Sequence, residues 1–186
     1  MSQQTIDGKD PALEMWCRGW GPVPARFMFV GISAGRLGAI KTQVPFTKGP
    51  SGRLLQRCLG RLGLSESDEF SVGPHLVDCY LTNFVKGVCL TEKGLNRLPT
   101  DSEFEFWWPE LAREIHQVKP KVLIALGDDV HEKLSACLAR QMPVITLDYE
   151  RLVKLKHPRA YGSHGALSNR RAFVTMVTDY QEALGL

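Results

Sequence analysis

Residues 29–55 read FVGISAGRLGAIKTQVPFTKGPSGRLL. An apolar run, Phe27-Met28-Phe29-Val30, stops at Gly31. A loop follows, and Ser51-Gly52 opens an amphipathic stretch with Leu54, Leu55, Cys58, Leu59 and Leu62 at helical spacing. Strand, loop and helix in that order predict an α/β unit. Ligands of open α/β sheets sit where such loops leave the carboxyl ends of the strands, so chemistry is expected here first. The glycines from Gly31 to Gly52 let the backbone approach a flat or anionic ligand, and an ordinary glycine-rich connection has the same content.

The alternation recurs along the chain. Residues 77–85 are rich in β-formers and predict a second strand ending near Asn83. After a loop with Gly87, Gly94 and Pro99, Thr100-Asp101-Ser102 offers a cap to a helix. Its apolar stripe is Phe104, Trp107, Trp108, Leu111, Ile115 and Val118, with Glu103 and Glu105 suiting its positive end. Pro120 closes it, and residues 121–127 are almost wholly apolar, as in a strand covered on both faces. Asp128-Asp129 starts a helix through Ala139; residues 143–147 read as a fourth short strand, 152–156 as a candidate for another, and 169–184 as a final helix. The expectation is α/β: a three-layer α/β/α arrangement with a mainly parallel four-stranded central sheet. It fills residues 1–186 as a single domain, with 1–26, carrying Trp16, Cys17 and Trp20, as a docking segment.

Composition narrows the classes. A chain of 186 residues is long enough to bury one substantial core. Its net charge of +3 permits a nucleic-acid partner without forming a strongly basic footprint. No apolar run spans a bilayer and no signal-peptide pattern opens the chain, so the expected location is the cytoplasm, with no membrane partner. The five cysteines are scattered and contain no CxxC, which reads as reduced thiols rather than a disulfide framework or a zinc site.

The Gly31 loop, Asn83 and His157 each fall just beyond an expected strand, so a parallel sheet brings all three to one edge. Taken singly, Asn83 reads as a turn residue and His157, before Pro158, as a surface loop residue. Together, several stretches resemble the uracil-DNA glycosylase superfamily, and most its bacterial and archaeal branches called families four and five. GISAGRLGAIKTQVPFTKGPSG (31–52) is similar to their glycine-led loop, Pro-Phe pair and helix-starting Ser-Gly. YLTNFVKG (80–87) and LNRLPTDSEFEFWWPEL (95–111) resemble their strand-Asn-loop-helix; KPKVLIALGDDV (119–130) resembles their third strand, and HPRAYGSHG (157–165) their His-Pro motif.

The resemblance implies a DNA glycosylase acting on a nucleotide flipped out of DNA, and the expectation for this chain is a monofunctional monomer that uses water and no metal. Phe46 would stack on the base, the Asn83 carboxamide would read its N3–H and O4, and His157 would hydrogen-bond the departing O2. Gly31, Ala34 and Gly35 would line the base, with backbone amides from Ala34 to Arg36 holding base or phosphate. Arg36, Ser51, Lys86, Pro158, Arg159, Ser163 and His164 would contact the DNA. Arg170-Arg171 reads as a solvated helix start.

Two departures from the family pattern stand out. Family four places a Glu directly after the first Gly and other branches an Asp or Asn one position later to orient water; this chain has Ile32 and Ser33, a poor base. Asp78, Asp128 and Asp129 are acids nearby in sequence. The four-cysteine iron–sulfur cluster general to these families is expected to be absent: Gly87 and Trp107 stand where cysteines are expected, Cys89 is displaced by two, and only Cys17 lies in the N-terminal region. Trp16, Trp20, Trp107 and Trp108 are expected to fill that corner. Two other readings remain: a member of the fold that binds DNA or a modified base without cutting, and a small-nucleotide-binding α/β protein, although no P-loop or GxGxxG is present.

Overall fold

The computed structural model describes residues 16–140, 147–161 and 170–186. Strand β1 is Phe27–Ser33, followed by a single turn α1 (Ala39–Thr42) and helix α2 (Pro50–Arg61). Then come β2 (Cys79–Val85), α3 (Asp101–Val118), β3 (Val122–Leu126), α4 (Asp128–Ala139), β4 (Arg151–Leu155), a 3-10 turn at Pro158–Tyr161, and α5 (Arg170–Leu184). The strands pair in the order β2-β1-β3-β4, all parallel. The strand expected at 143–147 falls mostly outside the described residues; the fourth described strand is β4, which covers most of 152–156.

Alternation along the strands sorts the core into two layers, because successive side chains leave opposite faces. Phe27, Phe29, Cys79, Leu81, Ile124 and Leu126 pack with Leu55 and Leu59 of α2 and Met176 and Tyr180 of α5. Met28, Val30, Tyr80, Phe84, Leu123 and Ala125 pack with Leu111 and Ile115 of α3 and Val130 and Leu134 of α4. The sheet is thereby covered on both faces, as its apolar runs require. Helix α3 starts in a capping box: Thr100 Oγ1 accepts from the Glu103 amide and the Glu103 carboxylate accepts from the Thr100 amide.

The outer edge of β2 is partly closed by the segment before β1. The Cys17 amide donates to the Lys86 carbonyl at 2.9 Å, and Trp20 and Leu81 exchange backbone hydrogen bonds of 2.8 Å. Covering this edge removes a row of unpaired backbone groups. Among the described residues no helix is long and apolar enough to cross a membrane.

Candidate active site

Gly31 and Asn83 stand opposite each other in the β1–β2 ladder. Both lie inside their strands, not beyond them as the sequence suggested, because β1 continues to Ser33 and β2 to Val85. A Cβ at position 31 would lie 2.6 Å from Asn83 Oδ1 and 2.6 Å from Phe46 Cζ. A carboxamide and an aromatic ring therefore converge over a backbone that has no side chain. Gly31→Ala forces one of them away; overpacking of this kind costs about 1–3 kcal/mol, so the thermal midpoint should fall by several degrees. An unchanged midpoint in thermal denaturation would contradict this packing.

Phe46 is held in an unusual conformation. Its φ of 57° is left-handed, costly for a residue with a ring and a Cβ. The surroundings enforce it. Gly52 of α2 packs so tightly that a Cβ there would collide with the Phe46 carbonyl, and Gly38 lies equally close to the Thr47 carbonyl. The buried Gln56 donates from Nε2 to the Phe46 carbonyl at 3.2 Å while its Oε1 accepts from the Ser71 amide at 2.9 Å. Thr47 Oγ1 donates to the Val44 carbonyl at 2.9 Å. Gln56 and Thr47 went unnoticed in the sequence; the signal for Gln56 is its place between Leu55 and Cys58 on the buried side of α2.

Asn83 is 4% exposed, and within the described residues its carboxamide makes no hydrogen bond. Among the described residues no sealed side-chain nitrogen or oxygen lacks a partner, so these amide atoms keep accessible surface and their acceptor and donor are open to a ligand or water. Beneath it the structure corrects one expectation. Lys86 does not reach the DNA edge; it is 0% exposed, because β2 continues past Asn83 and alternation turns Lys86 toward α3. Its ammonium donates to Thr82 Oγ1 at 2.6 Å, to the Asn83 carbonyl at 2.7 Å and to Glu114 of α3. Burial pulls the ammonium below the usual lysine value, against the attraction of Glu114.

His157 follows β4 by two residues and opens the 3-10 turn. Its Nδ1 accepts from the Arg159 amide at 3.1 Å, so in the neutral ring the proton sits on Nε2. Burial pulls the imidazole below its ordinary 6.5, and the Arg159 charge pushes the same way. Its Cβ lies 3.7 Å from where a side chain would start at Gly127, at the end of β3. With β3 between β1 and β4, two strand spacings of roughly 5 Å separate it from the Gly31 position. The ring and carboxamide over Gly31 and the His157 imidazole thus lie toward the same carboxyl edge of the sheet, on strands separated by β3.

The remaining expected residues divide. The Ala34 amide is spent on the Val85 and Gly87 carbonyls, each at 3.2 Å, so it cannot hold a ligand. No hydrogen bond within the described residues takes the amides of Gly35 and Arg36, and both residues are exposed. Ser33 is half-buried at the end of β1, and among the described residues no carboxylate is bonded to it. Asp78 accepts from the Arg26 amide at the opposite end of the sheet, and Asp128 is exposed and paired with Lys154. Ser51 lies in the first turn of α2. Arg159 is exposed and Pro158 buried beside His157, while Ser163 and His164 lie outside the described residues.

The thiols do not fit an iron–sulfur cluster. Cys58 and Cys79 pack in the α2/α5 layer, Cys89 and Cys137 in the α3/α4 layer, and Cys17 in a third group. Among the described residues no three His, Cys, Asp or Glu are grouped to hold a metal. Trp16 bridges to Gly87 and stacks on Trp107 with centroids 6.2 Å apart, so indoles occupy the corner expected for cysteines. Trp108 packs on Phe84, whereas Trp20 stands apart, 39% exposed and donating to the Pro74 carbonyl. Its backbone pairing to Leu81 carries it toward the other end of β2. Purified protein is expected to lack visible absorbance and bound iron; stoichiometric iron in an elemental assay would contradict that.

A parallel 2-1-3-4 sheet defines a class, the open α/β proteins, with a topological switch point between β1 and β3, and such folds bind ligands at the carboxyl ends of the strands there. The comparison with known families is narrower. The family model described as the Uracil DNA glycosylase superfamily matches residues 18–181, and the chain belongs to that superfamily. Over 109 residues it is 33% identical to the Type-4 uracil-DNA glycosylase of Archaeoglobus fulgidus, covering 59% of this chain and 47% of the relative. The matched stretch thus spans under half the length of that relative.

Proposed function

We propose that this protein is a monofunctional DNA glycosylase that hydrolyses the N-glycosidic bond of uracil, or of another deaminated or modified base, in base excision repair. The observation that carries the reading is the Asn83 carboxamide, which makes no hydrogen bond within the described residues and lies beside the Phe46 ring over Gly31. Phe46 stacks on the flipped base. Asn83 accepts from N3–H and donates to O4, a pattern that cytosine opposes. As the bond from N1 to C1′ breaks, its electron pair leaves with the base, and charge gathers on O2. The Nε2–H of His157 stabilises that charge more in the transition state than before it. Water adds to C1′, oriented by Ser33, and its proton passes to solvent or to the departing base. The free amides of Gly35 and Arg36, with Ser51, Pro158, Arg159, Ser163 and His164, follow the DNA backbone. The protein acts as a cytoplasmic monomer, with residues 16–20 paired along β2.

Because His157 acts as a neutral donor, the excision rate should hold through neutral pH and fall on the acid side, at a pH below 6.5. Protonation would remove the Nδ1 acceptor that the Arg159 amide uses. A rate that rises with acidity over that range would show an imidazolium at work instead.

A second reading rests on Ser33, to which no carboxylate is bonded among the described residues: the pocket binds the base in DNA without cutting. Labelled oligonucleotides carrying uracil, hypoxanthine, xanthine or a modified cytosine, single- and double-stranded, separate the two. Alkali-sensitive cleavage at one base supports the glycosylase. Tight binding with no abasic product supports the second reading, and tight binding of free nucleotide but not DNA defeats both.

A further inference from the structure

The Lys86–Glu114 ion pair has no part in that reaction, yet it is buried, Lys86 completely and Glu114 almost so. Lys86 has three N–H donors, and each has one acceptor: Thr82 Oγ1, the Asn83 carbonyl and Glu114 Oε2. Glu114 is 6% exposed and uses both oxygens, Oε1 accepting from the Gly19 amide at 3.0 Å and Oε2 from Thr82 Oγ1 at 2.7 Å as well as from Lys86. The group therefore ties Gly19 in the segment before β1, the end of β2 and α3 together at one point. An apolar pair would fill the same volume with less desolvation, so such pairs are weak sources of stability. What an ammonium supplies and an apolar side chain cannot is a directed bond to the main chain of Asn83.

We propose that Lys86 and Glu114 are positioning residues for Asn83: the ammonium fixes the carbonyl of residue 83, and with it the direction in which its carboxamide meets the base over Gly31. This rests on the reading that Asn83 recognises the base. The structure separates this role from DNA contact, since Lys86 has no surface to offer a phosphate.

The test measures binding of the full-length protein to oligonucleotides holding 2′-fluoro-2′-deoxyuridine or 2′-fluoro-2′-deoxycytidine, in which the fluorine resists bond breakage. The readout is the ratio of the two dissociation constants. Four proteins are compared: the unaltered chain, Asn83→Ala, the paired variant Lys86→Met/Glu114→Gln, and all three changes together. The paired variant is expected to fold and to lose about tenfold of the uracil preference, while in the Asn83→Ala background the same pair changes it less than about twofold, because interacting sites are non-additive. Equal losses in both backgrounds, or no loss in the first, would overturn the proposal. Should the paired variant not fold, Thr82→Val removes one Lys86 acceptor; a several-fold loss that vanishes with Asn83→Ala supports positioning, and any other result overturns it. Full preference retained by Asn83→Ala alone, or none in the unaltered protein, would instead overturn the underlying reading of Asn83.

Discussion

His157→Ala is expected to slow base excision by about 10²- to 10³-fold in kcat, the usual cost of removing one donor aimed at developing negative charge. The size follows from timing. Before the glycosidic bond breaks, O2 is an ordinary carbonyl oxygen, and a hydrogen bond to it is worth little. In the transition state the same oxygen carries much of the charge of the departing base, in a half-buried site where water screens poorly. The Nδ1 bond from the Arg159 amide fixes the ring and leaves the proton on Nε2, so the donor is ready without reorganisation. Affinity for the substrate oligonucleotide should change little. A variant that loses affinity and keeps kcat would place His157 in binding and not in bond breaking. Single-turnover kinetics with DNA in excess and in deficit separates the two.

Asn83→Ala is the second large effect. Two neutral hydrogen bonds worth about 0.5–1.5 kcal/mol each give a loss of roughly 5- to 150-fold in kcat/KM for uracil. Discrimination against cytosine should collapse with it, because the carboxamide both holds one edge and clashes with the other. Stability should not fall, since the carboxamide has no hydrogen bond within the described residues to lose. Competition between uracil- and cytosine-containing strands checks the selectivity, and thermal denaturation checks the fold. Retained selectivity would remove Asn83 from the reading of the base.

The sequence made the layers legible because strand and helix periods are strong in this chain. The apolar run within 121–127 reads as a strand covered on both faces and forms β3, and Leu54, Leu55, Cys58 and Leu59 repeat at helical spacing. Register was less visible. A break at Gly31 looked like a strand end, and only the pairing with Asn83 explains why a side chain is missing there inside β1. The misplaced Lys86 has the same origin. With β2 continuing to Val85, alternation from Thr82 and Phe84 carries residue 86 to the α3 face. A second signal was present in α3, where Glu114 sits among Leu111, Ile115 and Val118 on the buried stripe. A carboxylate in such a stripe asks for a buried cation. The proton on Nε2 of His157 and the left-handed Phe46 had no sequence signature, because both arise from backbone geometry that only the folded chain creates.

The central claim, hydrolytic release of an intact base, is tested most directly by counting products. Full-length protein is incubated with uracil-containing DNA, free uracil is quantified by chromatography, and abasic sites are counted on the same sample. One free uracil per abasic site, with strands intact until alkali is added, is the predicted result. DNA held in complex with no uracil released, however long the incubation, would contradict it.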